Sequence, residues 1–311
     1  MTKQKSSGQR DKMNSLVKLS KLSKIVADTG DIKQIWDLRD VIIDATTNPS
    51  LITNALTKQS DNDEFQSFYE ELLKHALEVN INDAPDLIAI HMGAEILSII
   101  KGRVSSELDP NLAHDESATI KEAHKFIERY AKLGIKSERI LIKIPATNEG
   151  IAAAKKLQKD GIYCNLTLLF THDKAKACAD AGVSLISPFV GRISDFYKDK
   201  MNFELGSPDD PGIKSVKNIY SFYKNNGYKT EVMAASFRSI RQVCALGGCD
   251  LLTISPALIH ELKNADITPN KLDIAPQKLE NQNQLELETL VEAGIAAFSK
   301  ARSDLKAKLA S

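Results

Sequence analysis

Along 311 residues, eight short aliphatic runs alternate with helical stretches, and no linker or low-complexity segment interrupts residues 25 to 263. Almost every run carries a polar residue near its C-terminal end. No G-x-G-x-x-G or G-x-x-x-x-G-K-[ST] loop is present to hold a nucleotide. Together these observations predict an α/β fold, a single (β/α)8 TIM-type barrel with additional N- and C-terminal helices. An open doubly wound sheet is the alternative, and it lacks its nucleotide loop here.

Taken in order, residues 1–24 (MTKQKSSGQRDKMNSLVKLSKLSK) are polar and lysine-rich, without the apolar core of a signal peptide. They read as a basic, partly disordered arm in which Leu16, Val17, Leu19 and Leu22 form a short surface-packed helix. A transit peptide is the competing reading. Residues 25–311 read as one barrel domain. Its expected strands are IVADTG (25–30), VIIDATT (41–47), RVSSEL (103–108), RILIKIP (139–145), IYCNLTLLF (162–170), VSLISPFV (183–190), TEVMAASF (230–237) and LLTISP (251–256). Helices are expected over 63–80, 83–101, 115–134, 148–159, 171–182, 212–226 and 238–247. Strands separated by helices pair in parallel through right-handed crossovers. The stretch 86–100 begins like a strand, but Ile88, Met92, Ile96 and Ile99 recur at helical spacing and it reads as helix. Leu287, Leu290, Val291, Gly294, Ile295, Phe298 and Leu305 form one stripe, an amphipathic helix over 285–309 that packs on the barrel or on a partner.

Composition narrows the function. Lys+Arg and Asp+Glu both number 41, a balance that argues against a dedicated nucleic-acid or anionic-membrane protein. No run approaches the roughly 18 apolar residues of a membrane span. Cys164, Cys178, Cys244 and Cys249 lack C-x-x-C spacing and read as small buried hydrophobes, so a reducing cytoplasm is expected. Six scattered histidines, with no H-E-x-x-H, give no expectation of a metal.

The run RILIKIPAT contains a lysine, Lys143, in an otherwise aliphatic strand. Side chains alternate across a strand, so Ile140, Ile142 and Ile144 face the outer helices while Leu141 and Lys143 face the barrel interior. Alternation repeats the pattern elsewhere: Asp28 falls with Val26, Thr46 with Asn48, Ser105 with Glu107, Asn165 and Thr167 with Tyr163, Ser187 with Phe189, and Ser236 and Arg238 with Ala234; Arg192 lies just past its strand. Active sites of such barrels lie at the C-terminal ends of the strands. A desolvated lysine becomes a nucleophilic amine that forms Schiff bases with carbonyls. Asp28 and Glu107 suit the accompanying proton transfers, and Arg192 and Arg238 with Ser236 suit a phosphate. The combination points to Schiff-base chemistry on a sugar phosphate.

The segments VADTGD (26–31), DATTNPSL (44–51), GRVSSELD (102–109), RILIKIPAT (139–147), CNLTLLF (164–170), LISPFVGR (185–192), ASFR (235–238) and TISPAL (253–258) resemble, in order, the signature blocks of the transaldolase family. That resemblance implies a cofactor-free (β/α)8 barrel related to class I Schiff-base aldolases. It implies transfer of a dihydroxyacetone unit from sedoheptulose 7-phosphate to glyceraldehyde 3-phosphate, in the non-oxidative pentose phosphate pathway. It assigns Lys143 as the Schiff-base lysine, Asp28 as acid/base for carbon–carbon cleavage, and Glu107 with Thr167 and a held water as the proton shuttle. Thr46, Asn48, Asn165 and Ser187 would bind dihydroxyacetone hydroxyls; Arg192, Arg238 and Ser236 would hold phosphate. The alternative is a fructose-6-phosphate aldolase releasing free dihydroxyacetone; such related aldolases tend to carry glutamine and tyrosine where this chain has Glu107 and Phe189, so the resemblance favours transfer. The resemblance also implies a homodimer. The chain departs from the family pattern at Asn148, where many members carry tryptophan and which here is expected to cap a helix. The segment between Leu262 and Leu285 is also short and polar.

Overall fold

Branched side chains give β4 its extended form: three isoleucines alternate with Leu141, Lys143 and Pro145. The computed structural model describes residues 14–57, 63–274 and 284–310. In it, eight strands form: β1 (Lys24–Asp28), β2 (Asp44–Thr46), β3 (Val104–Glu107), β4 (Ile140–Pro145), β5 (Cys164–Leu169), β6 (Leu185–Pro188), β7 (Glu231–Ala234) and β8 (Leu251–Ile254). Each pairs in parallel with the next, and β8 returns to β1, so the sheet is a closed barrel rather than an open one. All eight expected strands are present but shorter, since the ladder takes only part of each apolar run.

The helices are α1 (Ser15–Ser20), α2 (Ile32–Leu38), α3 (Pro49–Thr57), α4 (Asp63–Leu77), α5 (Ala84–Ile99), α6 (Glu116–Lys132), α7 (Asn148–Lys159), α8 (His172–Ala181), α9 (Val190–Tyr197), α10 (Pro211–Asn225), α11 (Ile240–Ala245), α12 (Pro256–Asn264) and α13 (Gln284–Ala310). The ambiguous stretch is α5, with Ile88, Met92 and Ile96 fully buried. Helices α2, α3, α9 and α12 were not expected; each is under three turns, too short to establish a period. Helix α1 buries Leu16 and Leu19 while Val17 is exposed, and it ties to the barrel's last loop through Ser15 N–H donating to the Ala265 carbonyl at 2.9 Å. Expectations for residues 1–13 fall outside the described residues. Among the described residues, no helix is long and apolar enough to cross a membrane.

Burial follows the alternation. Ile140, Ile142 and Ile144 join the large core between barrel and helices. Leu141 meets Val26, Leu185, Met233 and Leu251 in the barrel's interior. A third cluster caps the C-terminal mouth, where Leu168, Phe170, Phe189 and Ile193 pack beneath Leu287, Val291, Ile295 and Phe298 of α13. The terminal stripe therefore closes over the barrel mouth.

Among the described residues, the chain takes a positive φ at two non-glycine residues, Leu168 (φ 52) and Ser236 (φ 62). Such conformations cost on the order of 1–3 kcal/mol and persist only where surrounding structure holds them. At Leu168 the β5–β6 register shifts, sending Leu168 up toward α13 and Leu169 out to the helices. Ser236 corrects the sequence reading of β7. Alternation grouped it with Ala234, yet Ala234 packs outward against the helices. The positive φ turns the chain, so that Ser236 lines the mouth with Ala235 and Arg238.

Candidate active site

Every strand except β3 delivers a side chain, at its end or just past it, to a cavity of about 350 Å³ at the C-terminal mouth. Strand β4 supplies Lys143, which is 5% exposed. Its Nζ donates to the Thr47 carbonyl at 3.0 Å and faces Glu107 Oε2 at 3.0 Å. The Glu107 contact is a charge pair rather than an aligned hydrogen bond: among the described residues neither Glu107 oxygen receives an oriented donor, and the Thr167 hydroxyl has no partner. Burial pushes the Glu107 carboxyl above its ordinary value, and the Lys143 charge opposes that shift. This glutamate can hold a proton more readily than one in water.

Asp28, at the end of β1, is half-buried and faces the cavity. Its Oδ1 accepts from the Thr46 hydroxyl at 3.0 Å, and that hydroxyl lies 2.8 Å from Thr253 Oγ1. Desolvation raises the Asp28 carboxyl, against the Lys143 charge and the Thr46 hydrogen bond. Two carboxyl groups, both raised, thus flank one amine from different strands.

Two arginines form the far wall. Arg192, in the first turn of α9, lies with its guanidinium 5.3 Å from the Phe189 ring and 5.8 Å from that of Phe298. Burial, then the neighbouring Arg238 charge, push it below the usual arginine value. Arg238 follows β7 and donates to Ser236 Oγ at 3.2 Å and to Asp195 at 2.8 and 3.0 Å. The Asp195 pair is largely solvent-exposed, a setting in which ion pairs contribute about 0–1 kcal/mol. A buried network fixes the spacing of the two cations. Asp210 accepts from Ser194, two residues past Arg192, and from Gln242, whose Oε1 accepts from the Arg238 N–H at 2.8 Å. Two cations held side by side, Arg192 half-buried and Arg238 exposed, suit a dianionic group.

Of the expected site residues, Asp28, Thr46, Asn48, Lys143, Thr167, Ser187, Phe189, Arg192, Ser236 and Arg238 line one cavity. Glu107 stands directly behind Lys143. Asn165 also stands behind the wall, fully buried, its amide committed to Ser105 at 3.0 Å and to the Ser187 hydroxyl at 2.7 Å. It aims Ser187 rather than facing the cavity. Asn148 does not cap α7; Thr147 does, its hydroxyl accepting from Gly150 N–H at 2.9 Å, while Asn148 accepts from Lys174. Eight lining residues were missed, among them the hydroxyl-bearing Ser50, Thr253 and Ser255 and the aromatic Phe298. Thr253 and Ser255 were legible, since alternation from inward Leu251 places both inside. Phe298 lay on the recognised terminal stripe, but its Lys143 contact, 5.9 Å from Nζ to ring centroid, joins residues too distant in sequence for a pattern to link.

Among the described residues, no group of three or more His, Cys, Asp and Glu side chains could hold a metal. The chain matches the family described as Transaldolase/Fructose-6-phosphate aldolase over residues 25–309. It is 49% identical to a protein named transaldolase from Acidobacterium capsulatum, over 85% of this chain and 80% of that one. A transaldolase from Shewanella loihica is 46% identical over 88% of this chain and 84% of its own length. One from Prochlorococcus marinus is 44% identical over 96% and 94%.

Proposed function

We infer the roles of these side chains from one premise: the chain belongs to the transaldolase/fructose-6-phosphate aldolase family, and it is an enzyme of the transaldolase type. Its reaction moves a three-carbon dihydroxyacetone unit from a ketose phosphate to an aldose phosphate through a lysine Schiff base, as in the non-oxidative pentose phosphate pathway. The observation that carries the residue assignment is the placement of Lys143, buried, 3.0 Å from Glu107 and open to a cavity walled by Arg192 and Arg238.

Lys143 attacks the ketone of the donor sugar once its ammonium proton has passed to Glu107, the nearest base. The carbinolamine then loses water, and Glu107 with the Thr167 hydroxyl holds that water and returns the proton it requires. Asp28 removes the proton from the hydroxyl on the carbon beyond the bond to be broken. The carbon–carbon bond cleaves, an aldose phosphate leaves, and an enamine remains on Lys143. An acceptor aldehyde takes the nucleophilic carbon of that enamine while Asp28 protonates the new alkoxide. Hydrolysis of the imine then frees the product and the lysine. Thr46, Asn48 and Ser187 orient the dihydroxyacetone hydroxyls; Asn165 aims Ser187. Arg192, Arg238 and Ser236 hold the phosphate. Transfer is favoured over release by Glu107 and Phe189, which stand where releasing relatives carry other residues. The cytoplasm, where both sugar phosphates occur, is the compartment we assign.

The test is a coupled assay with fructose 6-phosphate, run with and without an aldose phosphate acceptor. Turnover that depends on the acceptor supports transfer; equal turnover without it, with free dihydroxyacetone accumulating, would assign the release reaction instead.

A further inference from the structure

Helix α13 carries Gly294, Phe298 and Arg302 at four-residue spacing, so the three share one face. A Cβ at Gly294 would lie 2.5 Å from a Leu168 methyl and 3.0 Å from Arg192, so glycine lets the helix sit directly on the mouth. One turn on, the Phe298 ring lies 5.9 Å from Lys143 Nζ and 5.8 Å from the Arg192 guanidinium. One turn further, Arg302 is buried, 6% exposed, with its guanidinium bidentate on Asp86 of α5 at 2.6 and 2.9 Å. Its Nε also faces Asp109 at 3.1 Å, and Asp109 lies two residues past Glu107. No part of this cluster touches the cavity.

A buried ion cluster is a poor device for stability alone, because apolar side chains of similar size often serve as well or better. Its distinctive property is positional: a fork held bidentate by Asp86, with Asp109 in charge contact at Nε but without an aligned hydrogen bond, is fixed in orientation by the Asp86 pair. We propose that Arg302 is a positioning residue, whose clamp on Asp86 and Asp109 seats Phe298 over Lys143 and thereby sets the ratio of transfer to release. The proposal rests on the Schiff-base reading above. The waiting enamine has two fates. Either its nucleophilic carbon bonds to the acceptor aldehyde, or that carbon takes a proton from water. In the second case the resulting iminium adds the hydroxide, the carbon–nitrogen bond breaks, and Lys143 regains its amine as dihydroxyacetone leaves. The net cost is one water, so whatever keeps water from the enamine favours transfer. Phe298 is the α13 side chain that lines the cavity, its ring centroid 5.9 Å from the amine, and Arg302 holds it there.

The experiment measures free dihydroxyacetone per transfer event, with fructose 6-phosphate as donor and an aldose phosphate as acceptor, in Arg302→Met, Arg302→Lys and Asp109→Asn. The ratio should rise on the order of tenfold in Arg302→Met and by less in Arg302→Lys, since small displacements at a reacting centre have large kinetic effects. Borohydride trapping on Lys143 should remain in both, which separates failure of this proposal from failure of the Schiff-base reading. An unchanged ratio in a folded, trapping-competent variant overturns the proposal. If Arg302→Met does not fold, Asp109→Asn decides by the same ratio. If neither folds, the clamp is a folding device and the proposal is also overturned.

Discussion

A buried amine needs a counter-charge to exist and a base to become reactive, and Glu107 at 3.0 Å meets both needs for Lys143. Lys143→Met should abolish turnover and leave the circular dichroism spectrum unchanged, because Glu107, already raised by burial, can stay protonated without its cation. Asp28→Asn should lower kcat by about 10²–10⁴, the usual contribution of a positioned acid/base. The same substitution carries a stability signature. The Asp28 carboxyl is raised in the fold, so it destabilises the native state once pH exceeds the unfolded value, and fully above the folded value. Asp28→Asn should therefore melt higher than the parent at neutral pH. That gain should vanish below the unfolded value of about 3.9. At the other wall, Arg238→Ala should raise KM for sugar phosphates about ten- to a hundredfold, by loss of a charge-assisted hydrogen bond of about 1.5–3 kcal/mol. KM for an unphosphorylated aldehyde acceptor should hardly move. The two walls differed in legibility. Lys143 was readable because β4 keeps strict alternation. Ser236 reached the expected site, but its grouping with outward-packing Ala234 failed because a φ of 62 breaks the period, and no residue pattern announces that turn.

At the scale of elements, the site depends on how closely each helix lies against its strand. Gly150, in the first turn of α7, has no room for a side chain: a Cβ there would lie 2.2 Å from the Pro145 carbonyl oxygen at the end of β4. Gly150→Ala should force α7 away from the strand that mounts Lys143. We expect a loss of about 1–3 kcal/mol, read as a lower melting temperature, together with reduced kcat. The eight strands and most of the expected helices were legible because apolar period and length agree; α11, with six residues, was read from its place between two strands. Helices α2, α3, α9 and α12 were not, having only seven to nine residues each in which to show a stripe. In α2, Asp31 caps through its side chain, accepting from Gln34 N–H. Helix α13 was legible as amphipathic, but its stripe could not name the surface it covers.

At the scale of the molecule, a closed parallel barrel brings residues from eight strands to one mouth, and a terminal helix lies across it. The strand ends were predictable as a set, since alternation repeated on strand after strand is hard to reconcile with a purely structural core. The contacts across the top were not, because they join Phe298 to Lys143 and Arg302 to Asp86 over long sequence separations. Chelation with EDTA is expected to leave turnover unchanged, since the proposed steps use only side chains. All of this depends on one bond, between Lys143 Nζ and the donor's keto carbon. Borohydride reduction in the presence of fructose 6-phosphate, followed by peptide mass mapping, tests it directly. A reduced three-carbon adduct on Lys143 is the predicted result; an unmodified Lys143, or an adduct on another lysine, would contradict it.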